Sequence, residues 1–131
     1  MGATACLLFA QLAGLALAFS PQVELREGQG RFLEPSVLDR YEARLLTSLQ
    51  GCHGRVIVHV GRRHHQDSRA ARGLAAKAPG VVRVAYHETE QHNTTKYLHE
   101  RRGQLTSIVR LAAAQLHFAA ALGAVAPRTP G

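Results

Sequence analysis

Two short β-branched runs, Arg55-Val56-Ile57-Val58-His59-Val60 and Val81-Val82-Arg83-Val84-Ala85-Tyr86, constrain this chain more than any other feature. About twenty residues separate them, with a polar loop, an Ala-rich stretch and the stop signal Pro79-Gly80 in between. Parallel strands need a crossover of a dozen or more residues, usually a helix, so this spacing predicts a β-α-β unit. The intervening helix is expected from Ser68 to Ala78, capped by Asp67 or Ser68.

The flanking segments read as helices. Pro35-Ser36-Val37-Leu38-Asp39 fits a capping pattern with Ser36 as cap, and Val37, Tyr41, Leu45 and Leu49, with Leu38 beside them, repeat at helical spacing. Gly51 ends this helix near 36–50. After the second strand, Asn93 or Thr94 opens a helical stretch that Gly103 breaks. Leu105, Ile108, Val109, Ala112, Leu116, Ala119 and Ala120 then mark the expected buried face of a long last helix. The sum is an α/β fold: a small layered sandwich with a βαβ unit, a parallel strand pair and a long C-terminal helix. Two strands are few for a free sheet, so a further strand near 22–33, a place within a larger domain of which this is a fragment, or pairing with another copy through the sheet edge is expected.

The N-terminus, MGATACLLFAQLAGLALAFS, is apolar and uncharged. It ends in Ala16-Leu17-Ala18, which matches the small residues a signal peptidase accepts. Residues 1–18 are accordingly expected to be a signal peptide, which implies secretion or a secretory-pathway lumen. The n-region lacks the usual Lys or Arg. An uncleaved membrane anchor is the second reading, because the segment approaches the about 20 apolar residues that span a bilayer. A buried N-terminal helix is the third. The domain plan is then an irregular lead-in at 19–34, one α/β domain at 35–124 and a loose tail at 125–131. With Cys6 in the signal, Cys52 would be a lone thiol, for which burial is the simplest state.

Charge is unevenly placed. The chain carries a formal +7, with fourteen arginines and two lysines, a bias that a GC-rich genome explains. Residues 55–83 hold Arg55, Arg62, Arg63, Arg69, Arg72, Lys77 and Arg83 against Asp67 alone, which makes that stretch +6. Such clustering draws polyanions or phosphorylated small molecules. Ligands of open α/β sheets gather at the carboxyl ends of the strands. Those ends lead into Gly61-Arg62-Arg63-His64-His65-Gln66-Asp67 and His87-Glu88-Thr89-Glu90-Gln91-His92. Arg62, Arg63 and Arg69 are the expected anion-binding residues, beside a helix N-terminus. No P-loop or G-x-G-x-x-G accompanies them.

His64, His65, His87, Glu88, Glu90 and His92 offer ligands for Zn²⁺ or Mn²⁺ on the same edge. Their spacing matches no established metal motif, and no cofactor is fixed by it. No nucleophile elbow occurs. His59, opposite to Val56, Val58 and Val60, reads as a sheet-face residue. Asn93-Thr94-Thr95 is a glycosylation sequon that also fits a helix cap.

The order of elements, with Tyr41-Glu42-Ala43-Arg44-Leu45-Leu46-Thr47-Ser48-Leu49-Gln50 before the first strand, loosely resembles the opening half of a GT-A-type nucleotide-sugar glycosyltransferase. The resemblance implies a sugar-nucleotide site and a Golgi-type anchor at the N-terminus. The Asp-x-Asp metal motif of that family is absent, Glu88-Thr89-Glu90 being the nearest substitute, and no catalytic residue is carried over. Three functions are therefore expected as alternatives: an exported α/β domain binding an anionic ligand through its basic loop, a glycosyltransferase fragment, and a truncated product without activity of its own.

Overall fold

The computed structural model describes residues 2–24 and 33–125, with side chains as far as His117. It divides into two units, Met1–Tyr97 and Leu98–Gly131.

The first unit is built on three parallel strands, β1 (Leu15–Phe19), β2 (Arg55–Gly61) and β3 (Val82–His87), in the order β1-β2-β3. Helix α1 (Gly2–Leu8) and a 3₁₀ turn (Ala10–Leu12) precede β1. Helix α2 (Pro35–Gln50) connects β1 to β2, and α3 (His65–Lys77) connects β2 to β3. The mixed α/β fold and the βαβ unit of the sequence are both present. The third strand is Leu15–Phe19, and the described parts of the 22–33 segment, residues 22–24 and Leu33, form no strand.

Alternation along the strands explains which side is dry. Ala16, Ala18, Val56, Val58, Val60 and Val82 are buried in one core with Leu7, Ala10, Leu45, Leu49, Ala70, Ala71 and Leu74. Small Ala16 and Ala18 on the edge strand leave room for the branched valines of the central strand. Full burial of each large apolar side chain stabilises the fold by about 1.5–3 kcal/mol. Helices α2 and α3 lie side by side and line a common groove of about 510 Å³.

The segment with the signal-like pattern is thus part of this core. Leu7 and Ala18 have no exposed surface, and the buried Ser48 hydroxyl of α2 donates to Leu7 O at 2.9 Å. Cys52 is buried and its thiol donates to Ala10 O. Cys6 is half-buried, donates to Leu17 O, and has its pKa raised by that burial. Both thiols are free.

Three local expectations change. Ser36 does not cap α2, because the helix starts one residue earlier, with Pro35 in its first turn and Glu34 at the cap position without a side-chain bond. Proline suits that position since its missing N–H would be unpaired anyway. Helix α3 starts at His65 rather than at Ser68, because the His64 ring caps it: Nδ1 accepts from the Asp67 amide. Val37 is exposed, so the buried stripe of α2 is Leu38, Leu45, Ser48 and Leu49.

Helix α4 (Thr94–Glu100) opens where Asn93 Oδ1 accepts from the Lys96 amide at 2.9 Å. In the second unit, Arg102 and Gly103 adopt positive φ (36° and 80°) and break the chain before α5 (Gln104–Val125). The expected buried face of α5 is not buried as drawn: Ala112 is, whereas Val109 and Leu116 are exposed. Among the described residues of this unit, only the last turn of α4 accompanies α5, which leaves the stripe without a second layer inside the unit. Ala119 and Ala120 lie outside the described side chains, and of the expected tail only Val125 is described, as the end of α5. Among the described residues, no helix is long and apolar enough to cross a membrane.

Candidate functional site

Parallel pairing puts the carboxyl ends of all three strands on one edge, as the sequence implies. The register Gly61↔His87 aligns the last residues of β2 and β3, and Ser20 N after β1 donates to His59 O at 2.8 Å. Ser20, at φ 45°, also shares a buried 2.6 Å hydrogen bond with Thr94.

Gly61 brings the two polar loops together. A Cβ there would lie 2.6 Å from Thr89 O and 3.1 Å from Gln91 O, so only glycine admits this approach. Arg62 N donates to His87 O and Arg63 N to Thr89 O. Buried Ser68 pins the first loop from the helix side by bonding to Gly61 O and Arg62 O. Thr89, also buried, accepts from Gln91 N. Backbone hydrogen bonds of this density fix where the loop side chains point.

Two clusters result. On the surface, Arg62 Nε lies 2.6 Å from Glu88, and Arg63 Nε lies 4.0 Å from the same carboxylate. The Arg62 guanidinium also stands over the Tyr86 ring. Arg69 pairs with Glu24 at 3.0 Å. All three expected anion-binding arginines therefore have a carboxylate neighbour. The arginines of these pairs are exposed, as is Glu88, whereas Glu24 is half-buried, and pairs at the surface contribute only about 0–1 kcal/mol. Along α3, His65, Gln66, Arg69 and Arg72 line a shallow recess of about 460 Å³, with no acidic residue among the described lining residues. Arg72 completes the basic face and was not singled out by sequence. Its signal is the i, i+4, i+7 spacing His65, Arg69, Arg72, which places three donors on one helix face.

Beneath that surface, Asp67 is buried and receives two imidazoles. His92 Nδ1 lies 2.8 Å from its Oδ2 and His64 Nδ1 lies 3.1 Å away. The three donor atoms lie within 4.8 Å of one another. The expected metal set is thereby divided. His64 and His92 come together; His65 joins the α3 recess; Glu88 turns to the arginines; Glu90 is exposed on its loop.

His87 belongs elsewhere, in a row of rings across the three strands. Phe19 stacks on His59 at 4.6 Å and His59 on His87 at 5.3 Å. His59 Nδ1 and His87 Nε2 share a 3.0 Å hydrogen bond, and His59 Nε2 is buried with no partner among the described residues. Burial, helped by the neighbouring His87, pushes the His59 pKa down to about 4, and burial lowers that of His87 as well. His59 lies on the sheet face, as its alternation implied.

Sequence reasoning missed Asp67 as a site residue and read it as a helix cap. Its signal was present: it is the one carboxylate in a stretch of net +6 and follows His64 by three residues. Asn93 is exposed and engaged through Oδ1 as the α4 cap, which leaves its amide nitrogen outside that bond. No family model matches the sequence, and neither a curated protein nor a solved structure is found to be similar to it. Fold class does not carry function, so the reading comes from the site.

Proposed function

We propose that this chain is an anion-binding α/β domain whose ligand, a phosphorylated small molecule or an acidic polymer, sits on the basic face of α3 and the adjoining Gly61–His64 turn. The observation that carries the reading is the recess lined by His65, Gln66, Arg69 and Arg72, four donor side chains, of which Arg69 is also paired with Glu24. Arg62 and Arg63 extend this face, sharing a single carboxylate between two guanidinium groups. An exposed Arg–Glu pair yields readily to a phosphate, which accepts bidentate, charge-assisted hydrogen bonds from the same fork.

The test compares two charge-matched double variants. Arg69→Ala with Arg72→Ala removes the recess, whereas Arg55→Ala with Arg83→Ala removes equal charge from strand positions away from it. Retention on heparin and affinity for inorganic phosphate are expected to fall in the first variant much more than in the second. Equal effects would reduce the behaviour to net charge and remove the site.

A further inference from the structure

We propose that His64, Asp67 and His92 form a divalent-cation site at the carboxyl edge of the sheet, suited to a borderline ion such as Zn²⁺. This goes beyond the anion reading, since it takes the opposite charge on different side chains. Two imidazoles and one carboxylate are a donor set that such ions accept, and three protein ligands leave positions open for water or a further ligand.

The geometry has the right scale. Ligand atoms about 2.0–2.1 Å from a tetrahedral ion stand about 3.3 Å apart. Here the Asp67 oxygen lies 2.8 Å and 3.1 Å from the two ring nitrogens. The electron pairs of two of the three ligands converge. The Asp67 amide points at His64 Nδ1 from 3.3 Å, so that nitrogen presents its lone pair. Two acceptors, Nδ1 and Oδ2, then face each other at 3.1 Å. A cation seated on both resolves the conflict, taking over the lone pair that the amide holds loosely.

The surroundings hold the ligands in place. His64 is the cap of α3 and Asp67 lies in its first turn, so three residues of helix fix their separation. His92 is delivered by the second loop, which the close approach at Gly61 locks to the first. Arg62 and Arg63, just before His64, are turned to Glu88 rather than to the cluster. Burial of the Asp67 carboxylate favours a bound counter-charge, because a carboxylate withdrawn from water must be paired.

The test uses the full chain without a histidine tag, stripped by a chelator and titrated with Zn²⁺ and with Co²⁺ as a spectroscopic probe. One equivalent is expected to bind, with Co²⁺ absorption typical of nitrogen and oxygen ligands and a raised melting temperature. Asp67→Asn and His92→Ala are each expected to weaken binding more than about tenfold, while His53→Ala, at an exposed position outside both sites, leaves it unchanged. His92 is half-exposed, so its variant keeps the test sound if Asp67→Asn disturbs folding. Absence of a stoichiometric site, or equal binding by His92→Ala and the parent, would overturn the proposal. Anion binding measured on the same chelated protein separates this result from the reading above.

Discussion

At the scale of single residues, His59 shows how one side chain ties pH to stability. It is 4% exposed, stacked between Phe19 and His87, and has an unpartnered Nε2. Burial lowers its pKa from 6.5 to about 4, so the native state holds it neutral. As pH falls, the unfolded chain takes up its proton first. Stability is therefore complete above about pH 6.5 and declines toward about pH 4, where the loss levels off. For His59 alone the total is roughly 3 kcal/mol, and His87 adds to it in the same direction. Urea unfolding between pH 7.5 and 4.5 should show this slope, and His59→Leu should flatten most of it; an unchanged slope would contradict the assignment. Gly61 gives a steric counterpart. Gly61→Ala drives a Cβ against Thr89 O and should cost about 1–3 kcal/mol, measured by thermal unfolding. Neither effect was legible in the sequence. His59 could be placed on a sheet face, but its orphan nitrogen depends on a ring two positions past its cross-strand partner Ala85. The role of Gly61 depends on a loop almost thirty residues away.

At the scale of elements, local patterns were read well where side-chain periodicity decides the structure. Strands β2 and β3, the α3 crossover and the break at Gly103 follow from sequence alone. The N-terminal segment shows the limit of that approach. An apolar run of alanine and leucine satisfies a signal peptidase and also suits an edge strand packed on valines, and composition does not separate the two. In the structure it supplies α1 and β1, and cleavage after Ala18 would remove nearly all of that strand. Leu7→Ala should therefore lower stability by about 2–5 kcal/mol, as expected for a core leucine; a loss within about 0.5 kcal/mol, typical of surface positions, would show that the segment is dispensable. Deletion of residues 2–18 should have a larger effect, exposing the backbone edge of β2 and promoting association. Size-exclusion chromatography would detect that association, and a stable monomer would contradict the role given to β1. Capping was the other weak point. The His64 ring replaces the Asp67 or Ser68 cap because it can accept from the third amide of the helix, and this moved the helix start by three residues.

At the scale of the whole chain, the charge bias of residues 55–83 acquires a direction. Arg62, Arg63, Arg69, Arg72 and Lys77 fall on α3 and at the carboxyl edge, and Arg55 and Arg83 on the strands, whereas the single carboxylate is buried beneath that edge with two histidines. The sequence showed the clustering of positive charge but not this segregation, which depends on the helical turn from His64 to Asp67 and on the approach of the second loop. The central claim is that the basic face is a site rather than a diffuse field. An amide-resolved NMR titration of the full chain with inorganic phosphate tests it most directly. Saturable shifts are expected at residues 61–66, Arg69 and Arg72, with small changes at Arg55 and Arg83. Shifts that fail to saturate, or that spread evenly over all the arginines, would contradict it.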